Sequence, residues 1–188
     1  MKIGLFFGSF NPIHLGHIEI AKFFHKKCRF DKILFVVSPH NPLKSKEDLL
    51  PEDLRLELVK LSIKKYPEFQ AEDLEFNLSK PSYTANTLSH LKIKYPNDDL
   101  YIIMGSDSLE SLKKWKKPEY ILQFPIVVYS RTEEIKNPFP KIKSIKIHHC
   151  PLLPISATLI RNLLKDKKDI SGLVSKNTIS KLIAEFQS

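Results

Sequence analysis

Residues 2–17 read KIGLFFGSFNPIHLGH, and the stretch divides at Gly8. Before it, Lys2 to Phe7 is a short apolar run that stops at glycine, as a buried strand stops at a turn. Beyond it, Ile18, Ala21, Phe24 and Cys28 recur at three- and four-residue intervals, with Glu19, Lys22 and Lys26 between them. That spacing predicts an amphipathic helix. A buried strand, a turn and a helix make the opening unit of a parallel sheet, whose strands need helical crossovers.

The alternation continues along the chain. Lys32 to Ser38 (KILFVVS), Leu100 to Met104 (LYIIM) and Ile126 to Ser130 (IVVYS) are further continuous apolar runs, with Ile142 to His148 a possible fifth. Phe69 to Leu78 reads as an alternating strand. Helical spacing marks Pro51 to Lys65, Ala85 to Tyr95 (capped by Ser82 or Thr84), Ala157 to Lys165 behind a Ser156 cap, and about Asn177 to Phe186. SDSLESLKKW opens another short helix. Strands apolar on both faces, interleaved with helices, predict one doubly wound, mostly parallel α/β domain over 1–188, with helices on both faces and the helices of 156–188 packed on that domain. Gly8, Pro39 and Gly105 each follow a strand, so they should gather on the edge where such sheets bind ligands.

The 188 residues are enough for a hydrophobic core without staples. Two distant cysteines, Cys28 and Cys150, argue against a disulfide framework and for a reducing, cytoplasmic setting. The amino-terminal apolar run is too short for a signal peptide, and no run suits a membrane span. A net charge of +9 favours anionic partners. Only four arginines stand among the 30 basic residues, so each kept arginine hints at a need for a planar fork. A basic nucleic-acid-binding module would also explain the charge. It requires basic and aromatic residues interleaved on one face, whereas ten of the twelve phenylalanines here lie in apolar runs or proline-flanked loops. The His148-His149-Cys150 run lies on an expected strand, where neighbours point to opposite faces, and reads as structural.

Residues 8–17 hold two of the five glycines and two of the seven histidines. Gly8 allows a sharp turn and close approach of a ligand to the backbone. His14 and His17, three apart, share a helix face, and a helix starting near His14 sets both imidazoles beside its free N–H groups. Gly16 leaves that turn uncovered. This composes a phosphate cradle with two side-chain donors, and matches neither the GxxxxGK[ST] loop nor the GxGxxG fingerprint.

The order Gly8-x-Phe10-x-Pro12-x-His14-x-Gly16-His17 resembles the GxFxPxHxGH signature of the HxGH nucleotidyltransferases. With PHNPLK, KPSYTANTL (80–88), IIMGSDSL (102–109), the Trp115 segment and ISATLIR (155–161), the chain is most similar to the bacterial nicotinate-nucleotide adenylyltransferases over nearly its whole length. It departs from their pattern at Asn86, at Ser175 and in LLKDKKDI, which lacks a glycine.

The resemblance implies adenylyl transfer from ATP to nicotinate mononucleotide, with magnesium carried by the ATP phosphates and no metal site on the protein. It implies that His14, His17 and Arg161 stabilise the transition state, and that Gly8, Ser9, Phe10, Gly16, Gly105, Asp107 and Ser156 bind ATP. Lys44, Thr84 and Trp115 would take the mononucleotide, with Trp115 stacked on the pyridine. Nicotinamide mononucleotide and phosphopantetheine are the alternative acceptors. Oligomeric state stays open.

Overall fold

The computed structural model describes residues 1–39, 49–130, 137–150 and 153–187. Lys44 therefore lies outside the described residues. Six strands form one sheet: β1 (Lys2–Gly8), β2 (Lys32–Val37), β3 (Phe69–Glu72), β4 (Asp99–Gly105), β5 (Ile126–Ser130) and β6 (Ile145–His149). Their order is β3-β2-β1-β4-β5-β6, and every pairing is parallel. The helices are α1 (Leu15–Cys28), α2 (Glu52–Ile63), α3 (Thr84–Lys94), α4 (Ser106–Ser111), α5 (Pro118–Ile121), α6 (Ala157–Lys165) and α7 (Ile179–Gln187).

The continuous apolar strands have the physical cause expected of them: each has two buried faces. On β1 and β2, Phe6, Ile33, Phe35 and Val37 enter one core with Phe24 of α1, Leu58 of α2, Ile160 of α6 and Leu182 of α7. Ile3, Leu5, Leu34 and Val36 enter the other, against Leu88 and Leu91 of α3, Leu109 of α4 and Ile121 of α5. Each such side chain contributes roughly 1.5–3 kcal/mol by leaving water.

The chain winds from β1 outward to β3, then crosses back to place β4 on the other side of β1. The switch point thus lies between β1 and β4, whose carboxyl ends are Gly8 and Gly105.

Some boundaries differ from the sequence reading. The expected strand through Leu78 ends at Glu72 and becomes a 3₁₀ turn over Leu74–Asn77. Glu75 there turns inward and is buried, accepting a hydrogen bond from Thr87 Oγ1 at 2.7 Å. Neither Ser82 nor Thr84 caps α3; Tyr83 stands at its N-cap without a side-chain cap bond. Ser156 does cap α6, its Oγ accepting from Leu159 N at 3.1 Å. The last helix follows a 3₁₀ turn over Lys176–Thr178 and starts at Ile179. No helix among the described residues is long and apolar enough to cross a membrane.

Candidate active site

The loop from Gly8 to His14 leaves the sheet centre and feeds α1. Phe10 turns it with a left-handed backbone, φ 44°. Such a conformation is costly for a residue with a Cβ and persists only where the surroundings hold it. Here they do. The Phe10 ring is buried and packs edge-on to Phe6 at 5.7 Å and to His17 at 5.2 Å. A Cβ on Gly8 would meet that ring at 2.9 Å, so the glycine is needed where it stands.

His14 is the N-cap of α1 and His17 lies in its first turn, as their spacing predicted. The two rings stack at 3.7 Å with 30° between their planes. His14 is buried; His17 is half-buried. The backbone N–H of His14 donates to His17 Nδ1 at 3.2 Å. That bond assigns the neutral His17 proton to Nε2, making the outer nitrogen a donor. Gly16 has a sharper role than an open turn. A Cβ there would lie 2.9 Å from His14 Nδ1 and 3.0 Å from Cε1, so the glycine admits the imidazole over the helix.

The helix start is less open than its sequence suggests. Its first N–H, that of Leu15, is not open to a ligand but donates to the Leu173 carbonyl at 2.9 Å. Ile170 and Val174 on either side are buried in the same core as α1, which brings that carbonyl to the helix end.

Arg161, on α6, reaches the loop from the far end of the chain. Its Nη1 donates to the Asn11 carbonyl at 2.9 Å. Ile155, next to the Ser156 cap, brings its carbonyl near Gly16. The stretch from Gly8 to His17 and the ISATLIR segment thus meet. Across the switch point, the Tyr129 ring of β5 lies edge-on to Phe6 at 6.1 Å. A Cβ on Gly105 would meet that ring at 3.2 Å. Gly105 is the N-cap of α4, and Asp107 is exposed in its first turn without capping it.

Thr84 and Trp115 form a second group. Thr84 starts α3 behind Tyr83, and the Lys116 ammonium sits 4.2 Å over the Tyr83 ring. Trp115 is half-buried against the second core, and its Nε1 donates to Ser111 Oγ at 3.2 Å. The link to the first group runs through the end of β2. Ser38 N donates to the Gly8 carbonyl at 2.9 Å. The Ser38 hydroxyl in turn belongs to the set facing Glu75, which Thr87 of α3 also bonds. Burial pushes the Glu75 carboxyl up, and the hydroxyls of Thr87, Ser38 and Ser82 pull the other way.

Arg55 of α2 was visible in the sequence only as one of four scarce arginines. It is fully buried. Nε donates to Leu50 O at 2.9 Å, Nη1 to Ser9 O at 2.6 Å and Ser38 O at 2.7 Å, and Nη2 to Pro39 O at 2.9 Å. These acceptors are backbone carbonyls, which carry no sequence signature.

The cytidylyltransferase-like family profile matches residues 5–163, from β1 into α6. The chain belongs to the cytidylyltransferase-like family. Within it, this member is 48% identical over 177 residues to a Flavobacterium psychrophilum protein named "probable nicotinate-nucleotide adenylyltransferase", covering 93% of this chain and 92% of that one. A Bacteroides fragilis protein of the same name is 38% identical over 188 residues, covering 100% of this chain and 94% of that one. A solved Plasmodium falciparum nicotinic acid mononucleotide adenylyltransferase, complexed with NaAD, superposes with a TM-score of 0.81. It covers 97% of this chain and 95% of its own at 21% identity, which is a likeness of fold. Among the described residues of this family member, no three His, Cys, Asp or Glu side chains gather as a metal-binding group.

Proposed function

We propose that this protein transfers the adenylyl group of ATP to nicotinate mononucleotide, releasing pyrophosphate and forming deamido-NAD. The observation that carries the reading is the stacked His14–His17 pair at the start of α1, just beyond β1, a strand that borders the switch point of the parallel sheet. The names of relatives at 38–48% identity over most of the chain support the choice of acceptor.

The chemistry suits the residues. The mononucleotide phosphate is already ionised near neutral pH, so it attacks the α-phosphorus of ATP without a general base. One P–O bond forms as the bond to the β-phosphate oxygen breaks, and negative charge moves onto departing pyrophosphate. Catalysis then requires alignment of two polyanions and donors aimed at the departing charge. His17 Nε2–H and His14 supply such donors in this reading, and the Arg161 guanidinium, near Asn11, binds the β- and γ-phosphates. Gly8, Ser9, Phe10 and Gly16 line the phosphate path, with Ser156 and the start of α6 beside it. Asp107, beyond Gly105, accepts from the ribose hydroxyls. Thr84 and the chain near Trp115 receive the pyridine carboxylate, the Trp115 ring stacks on the pyridine, and Lys44 contacts the acceptor phosphate.

Magnesium enters with ATP as part of the substrate. Residues 1–188 act as one domain in this account, since α6 and α7 share the core of α1 and α2. A cytoplasmic enzyme working on two soluble nucleotides, with neither nucleic acid nor membrane as partner, fits the whole. The test measures pyrophosphate release from MgATP with nicotinate mononucleotide, nicotinamide mononucleotide or phosphopantetheine as acceptor. The highest kcat/KM is expected with the nicotinate acceptor; a higher value with either other acceptor overturns the assignment.

A further inference from the structure

Arg55 takes no part in the chemistry outlined above, yet its position is unusual. It is a cation with no exposed surface, and four of its five N–H groups are spent on backbone carbonyls. No carboxylate among the described residues bonds it; nearby Glu52 is occupied by Lys80 at 2.7 Å. Desolvation lowers its pKa to about 10, which still leaves it protonated at neutral pH. Glu52 attracts the guanidinium without bonding it, so the buried charge rests mainly on the four carbonyl bonds that also tie the loop together.

The short bond to Ser9 O shows what the guanidinium does to the loop. The Ser9–Phe10 peptide is trans, so its carbonyl and its N–H point in opposite directions. With the carbonyl drawn to Arg55 at 2.6 Å, the Phe10 N–H is held pointing away from the guanidinium. The same bond restrains the residue whose backbone is left-handed and whose ring leans on His17. Through Ser38 and Pro39 the guanidinium also ties that loop to the end of β2.

We infer that Arg55 is a positioning residue for the triphosphate: by holding the Ser9 carbonyl it fixes the peptide that carries the Phe10 N–H, steadies His17 through the Phe10 ring, and adds positive potential to the loop that takes the polyanion. The inference rests on the adenylyl-transfer reading for its ligand, and nucleotide binding tests it separately from turnover.

Arg55→Lys keeps the charge but not the fork, and Arg55→Met removes both. MgATP affinity by calorimetry, kcat, and both KM values are measured on folded protein below each variant's Tm. Arg55→Lys should weaken MgATP at least fivefold and lower kcat at least tenfold, with the acceptor KM within twofold of wild type. Arg55→Met, where it folds, should lose more on both counts. A purely structural stitch would lower Tm while folded protein kept the wild-type MgATP affinity, and that result in Arg55→Lys overturns the inference. Equal losses toward both substrates overturn it too. Wild-type protein that binds MgATP but transfers nothing refutes the transfer reading alone, and the Arg55→Lys affinity still decides this one. Wild-type protein that binds no MgATP overturns both.

Discussion

Gly16→Ala is the most informative small change available in this molecule. Added to the helix, one methyl carbon would lie 2.9 Å from His14 Nδ1 and 3.0 Å from Cε1. Ordinary carbon contacts sit at about 3.5–4.0 Å, so the imidazole must retreat by roughly 0.5–1 Å. It cannot retreat freely, because the His17 ring is stacked on it at 3.7 Å. A displacement of about 1 Å in a positioned group costs roughly 10²-fold in rate, and that is the loss expected in kcat/KM for ATP. Stability should move little by comparison. Alanine gains up to about 1 kcal/mol over glycine in a helix, while crowding the ring costs about 1–3 kcal/mol. The net cost is between about 0 and 2.5 kcal/mol, which a chain of this size registers as a Tm shift of no more than several degrees. Pyrophosphate release at saturating acceptor, with Tm on the same preparation, reads both quantities. Activity within threefold of wild type would refute the placement of the His14 ring in the working site. So would a loss of activity that merely tracks a collapse in Tm.

Three further outcomes follow from the same geometry. His17→Ala should lower kcat by about 10²–10³-fold, the cost of one donor to developing charge. The lost bond from His14 N is worth only about 1 kcal/mol, so Tm should fall by no more than a few degrees. Trp115→Ala should raise the KM for the mononucleotide well above that for ATP, and equal changes in both would remove the ring from the acceptor site. Glu75→Gln tests the buried carboxyl. Its folded-state pKa is raised above 4.5, so the stability of its neutral form is complete at low pH and is lost as pH climbs through the folded value. The neutral variant should therefore gain Tm on wild type at pH 7–8, with the difference shrinking toward pH 4; a difference independent of pH contradicts this.

Where local pattern and tertiary environment agree, the sequence was enough. The runs at β1, β2, β4 and β5 are uninterrupted because both faces of these inner strands are buried, and Ser156 caps α6 by a bond three residues away. The His pair was legible because both imidazoles depend on one turn of helix. Failures have the opposite cause. Strand β3 stops early because Glu75 finds Thr87 across the fold, a partner no alternation pattern foretells. Leu15 N–H is consumed by the Leu173 carbonyl, which comes from near the other end of the sequence. Arg55 was conspicuous only for being an arginine in a lysine-rich chain. What it holds became visible once Ser9, Ser38, Pro39 and Leu50 were brought around it.

The central claim is that the two imidazoles at the first β–α turn grip the triphosphate. A crystal structure with a non-hydrolysable ATP analogue and magnesium tests it most directly. β- or γ-phosphate oxygens should lie within about 3.2 Å of His17 Nε2 and the Arg161 guanidinium, with His14 facing the same phosphates. A nucleotide bound elsewhere, with both rings turned away from it, would contradict the account.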